Sequence, residues 1–231
     1  MIYAVSDLHS CYSKFIKSIP KDCNRLIILG DLFNKGREQE EMILWWIKNY
    51  NNPDYIFIWG NHEIRLFSEL SKTLTNKEFK DISSLSFSSD HNINITNVVI
   101  DLIKRKEINV QALLDSMAYL KFYHIEKVGN ITYTFSHASW EPNVTPEAQD
   151  KKNLIYDTIH LINQIGVKDN PKLVKYCDWA KKKGLKHIIG HFPVPSIFKQ
   201  QAPYIYHDTF YFIDNAIFRT ANPMVYFKLS G

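Results

Sequence analysis

The sequence predicts an α/β domain, and three observations carry that expectation. Short apolar runs recur along the chain, each stopping at a polar or glycine-containing cluster. Stretches with helical spacing lie between them, the alternation expected of strands and crossover helices. The 231 residues, 45% hydrophobic and 23% charged, suffice for one sizeable core and fit neither a disordered chain nor a coiled coil, so a single domain over 1–231 is expected.

From the amino terminus, residues 2–6 form an apolar run before Asp7, and residues 25–29 another before Gly30-Asp31. Residues 37–50 read as a helix: Glu38, Glu40 and Glu41 suit its N-terminus, and Met42, Leu44, Trp45, Trp46 and Ile47 supply an apolar face. Residues 55–59 form a third strand ending at Gly60. Two helical stretches, 62–74 and 96–122, come next, joined by a serine-rich polar segment, 81–94, that reads as a loop or cap. Strands at 131–136, before His137, and 187–189, before Gly190-His191, complete the series. Continuous apolar strands of this kind are buried on both faces of a sheet. After them the runs 204–207, 209–213 and 224–229 read as antiparallel strands, and the aromatic-rich Tyr204, Tyr206, Phe210, Tyr211 and Phe212 as part of a second sheet packed on the first.

Composition narrows the function classes. A net charge of +4 is mild, and the one lysine run, 181–183, reads as a solvated helix face, so no stable nucleic-acid partner is indicated. Cys11, Cys23 and Cys177 lack metal or disulfide spacing and read as free thiols of a reducing compartment. No signal-peptide pattern opens the chain and no uncharged apolar stretch is long enough to span a bilayer. A cytoplasmic protein without a membrane partner is expected.

The chain is distinguished by the residues just past its strands: Asp7 and His9, Asp31, Asn61 and His62, His137, and His191. An open α/β sheet gathers such residues at the carboxyl edge of its strands. Each alone fits an ordinary role, a turn-former for Asp7, Asp31 and Asn61, a core histidine for His137 and His191. Five strand ends in succession that choose Asp, His and Asn are harder to assign to capping, which hydroxyls would serve as well. Imidazoles, carboxylates and an amide oxygen without thiolate point to hard-to-borderline divalent ions such as Mn²⁺, Fe or Zn²⁺. The set is too large for one catalytic ion and suits two ions about 3.5–4 Å apart that clamp a phosphoryl group.

The motifs Asp7-Leu8-His9, Gly30-Asp31, Gly60-Asn61-His62-Glu63, Ser136-His137-Ala138 and Gly190-His191, in this order, resemble the calcineurin-like metallophosphoesterases over residues 5 to 195. With Ile213-Asp214-Asn215-Ala216 they look most like the phosphoprotein phosphatase branch, which includes the lambda-type protein phosphatases and the symmetrical diadenosine tetraphosphatases. The resemblance implies a two-sheet αββα sandwich with a helical cap-like insertion around 66–122. It implies that Asp7, His9 and Asp31 hold one metal, that Asp31 bridges, and that Asn61, His137 and His191 complete the second. His62 would be the general acid facing the leaving group, while a metal-bridging hydroxide attacks phosphorus. Manganese is the first expectation for both ions, with Fe, Zn²⁺, Ni²⁺ and Mg²⁺ open.

The chain departs from that pattern at Asn34, where the family carries the aspartate that orients the acid histidine. An amide is expected to accept a hydrogen bond from His62 without raising its pKa as a carboxylate would. The phosphate-gripping arginines are replaced by Lys35 and Lys181, a point charge in place of a planar fork, with Arg37 and Arg65 as substitutes. The substrate expected is a phosphorylated one, a phosphoprotein, small phosphomonoester or nucleotide. A phosphomonoesterase is the primary reading; the alternatives are a nucleotide or nucleic-acid phosphate hydrolase and an idle binding scaffold.

Overall fold

The computed structural model describes residues 1–73, 94–156, 165, 170–219 and 224–231. The first sheet grows from the amino terminus. Strands β1 (Ile2–Val5), β2 (Arg25–Ile28) and β3 (Tyr55–Phe57) run parallel, connected through helices α1 (Tyr12–Ser18) and α2 (Gln39–Asn49). Alternation along them is two-sided: Tyr3, Val5, Leu26 and Ile28 face the helices, while Ala4, Ile27 and Leu29 face the second sheet. Trp46 is fully buried in the helix-side core, as expected of Trp45-Trp46 as packing residues.

Helix α3 (Asn61–Thr73) leaves β3. Where one helical stretch was expected over 96–122, the chain forms α4 (Asn94–Lys104), α5 (Val110–Ala118) and then strand β4 (Tyr123–Val128). Val99, Leu102, Leu113, Leu114 and Met117 join the same core as Val5 and Ile28, so the described part of 66–122 thickens the helical layer of the first sheet. Most of the proposed loop, 81–94, lies outside the described residues.

The second sheet has the order β4-β5-β6-β8-β7, with β5 (Ile131–Ser136), β6 (Leu185–Ile189), β7 (Tyr204–Tyr206) and β8 (Phe210–Phe212). The short helices α6 (Lys151–Ile155) and α8 (Val194–Ile197) flank the loops, and α7 (Pro171–Lys182) covers the outer face through Leu173, Tyr176, Cys177 and Ala180. The aromatic carboxyl-terminal run does enter a second sheet, but it shares that sheet with β5 and β6. Of the expected antiparallel run, β7 and β8 pair antiparallel with each other, while β8 lies parallel to β6. The last strand, β9 (Phe227–Lys228), returns to the first sheet antiparallel to β1. Between the sheets pack Ile27, Leu29, Ile58, Tyr133, Phe135, Ile188 and Tyr211. The result is a sandwich with helices on both outer faces. Its cysteines are free, and no described helix is long and apolar enough to cross a membrane.

Candidate functional site

Pairing between β1 and β2 continues past their ends. Asp7 N–H donates to Gly30 O (3.2 Å), His9 N–H to Asp31 O (2.8 Å) and Ser10 N–H to Leu32 O (2.7 Å). Along these turns and at the end of β6, Asp7, His9, Ser10, Asp31, Asn34, Lys35 and His191 all have φ between 43° and 67°. That region costs a residue with a side chain about 1–3 kcal/mol, and such concentrations accompany functional sites. Two glycines bring the turns into contact: a Cβ on Gly30 would stand 2.6 Å from Gly60 Cα and 2.9 Å from His137 Nδ1.

The amino end of α3 closes on the same turns. His62 N–H donates to Asp31 Oδ1 (3.0 Å), placing a helix N-terminus against this carboxylate. Buried Glu63 accepts from Asp31 N–H (2.7 Å) and Gly60 N–H (3.0 Å) through Oε2, and from Leu32 N–H (2.9 Å) through Oε1. Burial, and then the Asp31 carboxylate, push the Glu63 carboxyl up to about 8, while the three amide donors favour its anion.

Two ligand groups result, Asp7–Asp31–His137–His191 and His9–Asp31–His62, with the donor atoms of each lying within 4.8 Å of one another and Asp31 common to both. Asp31 Oδ2 is 3.8 Å from His9 Nε2 and 3.6 Å from His62 Nε2, and Oδ1 is 3.4 Å from His137 Nε2. Asp7 Oδ1 lies 3.7 Å from His9 Nε2, and its Oδ2 accepts from His191 N–H (2.8 Å). His9 Nδ1 and His137 Nδ1 donate to Phe33 O (3.3 Å) and Leu29 O (2.7 Å), which leaves the Nε2 lone pairs pointing inward. Burial holds His9, His62 and His191 below the ordinary histidine pKa, His191 at about 3, so these rings are neutral donors near pH 7. Burial and the Asp31 charge push Asp7 well up. Burial opposes ionisation of Asp31 too, but His62, His137, His9 and His191 together hold it below the carboxylate range.

The position of Asn61 tests whether these residues suit a cation. Its Oδ1 sits 3.0–3.3 Å from His191 Nδ1, His137 Nε2 and both oxygens of Asp31, all acceptors. Left to themselves, these atoms would draw the amide NH2 inward. With its NH2 inward the amide donates to these atoms, with its oxygen inward it is a ligand, and the donor set of carboxylate, imidazole and amide oxygen suits a hard-to-borderline divalent ion.

A family model for calcineurin-like phosphoesterases matches residues 1–195. The chain belongs to that family. Among solved structures this phosphoesterase shares its fold with a candidate diadenosine tetraphosphatase, at 14% identity and a TM-score of 0.56, covering 94% of this chain and 84% of that one. A hypothetical protein from Pyrococcus horikoshii OT3 matches at 12% identity and a TM-score of 0.51, covering 93% and 77% of the two chains. At these identities the likeness is one of fold. No curated protein sequence matches the chain.

The phosphoesterase thus brings together Asp7, His9, Asp31, Asn61, His62, His137 and His191, with Asn34 and Lys35 beside them. Asn34 differs from the expectation. Its Nδ2, and not its oxygen, faces His62 Nδ1 at 2.8 Å, and its Oδ1 is buried without a partner. Lys35 Nζ lies 3.0 Å from His9 Nε2. Arg37 is exposed on the approach to α2, and Arg65, one turn beyond His62, is close enough to act on the charge of His62 and of Tyr156.

Lys181 lies in the last turn of α7, and its charge acts on Asp208, which is paired with Lys186. Glu63 opens the helix, as the sequence suggests, and clamps the turns as well. Sequence reasoning gave no role to two residues. Buried Asp214, its carboxyl pushed well up by burial and then Asp7, borders the site from β8. Phe218 packs edge-on against His9, with ring centroids 4.8 Å apart. Asp214 stood in a visible motif; nothing in the sequence marks Phe218.

Proposed function

We propose that this metal-dependent phosphoesterase is a phosphomonoesterase with a protein phosphatase-like site. Asp7, His9 and Asp31 would hold one divalent ion, and Asn61, His137 and His191, with Asp31 shared, a second, manganese being the first expectation. Bound there, divalent ions polarise phosphoryl oxygens and acidify water. The chain's own residues do the rest. His62, placed beside Asp31 by the first turn of α3, directs Nε2 toward the phosphoryl site and delivers a proton to the leaving oxygen. Lys35 offers a compact positive charge to the phosphate, and Arg65 a second one from the next turn of α3.

The observation that carries this reading is the pair of ligand groups that share Asp31, Asp7–Asp31–His137–His191 and His9–Asp31–His62, with the Asn61 amide against both Asp31 oxygens. The resemblance supports phosphoprotein or small phosphomonoester substrates. A second reading, hydrolysis of a nucleotide polyphosphate, draws on the diadenosine tetraphosphatase named among the fold neighbours and on the Phe218 ring beside Lys35. Hydrolysis of p-nitrophenyl phosphate with Mn²⁺, lost in Asp31→Ala, is expected. No turnover with any of Mn²⁺, Ni²⁺, Zn²⁺ or Mg²⁺ would overturn the enzyme. Faster release from diadenosine tetraphosphate than from phosphopeptides would select the second reading, and equal rates on phosphodiesters would defeat the monoesterase.

A further inference from the structure

Lys35 does more than stand where the family places an arginine. His9 Nδ1 donates to Phe33 O, so His9 presents one lone pair to the site, at Nε2, and the Lys35 ammonium lies 3.0 Å from that nitrogen. The Phe218 ring supports the ammonium from the other side, with Nζ 4.5 Å from its centroid, and the same ring packs on His9. The charge reaches Asp7, His9, His62, His191 and Asp214, so it stands within the site.

A metal ion ligated by an imidazole nitrogen lies about 2.0–2.1 Å along its lone pair. That is the lone pair the ammonium uses, and one lone pair serves one cation. In the other group the Asn61 amide, His137 Nε2, His191 Nδ1 and Asp31 Oδ1 face one another.

We propose that the Lys35 ammonium is an internal competitor for the ion held through His9, so that the two ions load in order. The first takes Asn61, His137, His191 and Asp31. The second enters only as Lys35 swings away from His9, which frees the ammonium to meet the substrate's phosphate. The inference rests on the metal-dependent reading above.

Equilibrium dialysis with Mn²⁺ tests it without reference to turnover. In the unaltered protein one ion per chain should bind tightly and a second more weakly by roughly tenfold or more. Lys35→Met, which keeps the apolar stem and removes the charge, should tighten the second site by a similar factor and leave the first unchanged. Acylation of Lys35 in the unaltered protein, followed by mass spectrometry, should accelerate when the second ion is added and not with the first. Two equal sites in the unaltered protein, a second site unmoved by Lys35→Met, or labelling indifferent to the second ion would overturn the proposal. Absence of bound Mn²⁺ in both proteins would overturn the metal-dependent reading as well.

Discussion

His62 shows how a single neighbour sets a proton's worth. Its backbone is tied to Asp31 and its Nδ1 receives the Asn34 amide. Donation into Nδ1 stabilises the neutral ring with its proton on Nε2 and works against the imidazolium, in the same direction as burial, which lowers the His62 pKa. A general acid acts while protonated, so the rate should fall as pH rises through that lowered value. Asn34→Asp would supply an acceptor, raise the His62 pKa and carry the falling limb of the pH–rate profile to higher pH, an effect readable with an alkyl phosphate whose leaving group needs the proton. His62→Gln should lower kcat by roughly 10²–10⁴. Metal analysis of that variant should return the same number of ions as the parent; loss of an ion would make His62 a ligand instead.

Among the elements, α3 is the one on which the site turns, and Glu63 is its fastener. Glu63→Ala would strip acceptors from three buried amides, Asp31, Leu32 and Gly60, each worth about 1–3 kcal/mol when left unsatisfied. A loss of about 3 kcal/mol or more is expected in urea unfolding, together with weaker Mn²⁺ binding. A parent-like midpoint would show the turns held by other contacts. The strand ends and the start of α3 were legible because apolar runs stopped at Asp, Asn and His in a fixed order. The break between α4 and α5 was not, because it falls at Lys106 in a left-handed conformation (φ 61°), where glycine would have announced it. Strand β4 was hidden by its place at a sheet edge: Ile125 and Lys127 are exposed, so its apolar alternation is faint.

For the molecule as a whole, acid sensitivity follows from His187. Its ring lies between Trp140, Tyr176 and Phe210, with both nitrogens bonded, to Thr134 Oγ1 and Tyr176 OH (2.6 Å each). Burial lowers its pKa to about 3. An unfolded histidine titrates near 6.5, so between these values the unfolded chain binds the extra proton and stability falls as pH falls, by about 1.4 kcal/mol per pH unit per histidine. Above pH 6.5 this contribution is flat. Urea midpoints from pH 7 down to 4 in EDTA should show the decline, and His187→Gln should remove one proton's share, leaving those of His9, His62, His124 and His191. An unchanged slope would place the proton elsewhere. A different consequence attaches to the last strand. Tyr3 pairs with Lys228 and Ala4 with Phe227, so the strand that leads into Asp7 and His9 is flanked on one edge by residues far along the sequence. Such a closure spans a long loop and belongs late in folding. A growing polypeptide therefore carries β1 with one edge unzipped until residues 227–228 have been made, the interval in which that edge is most open to pairing with a neighbouring chain.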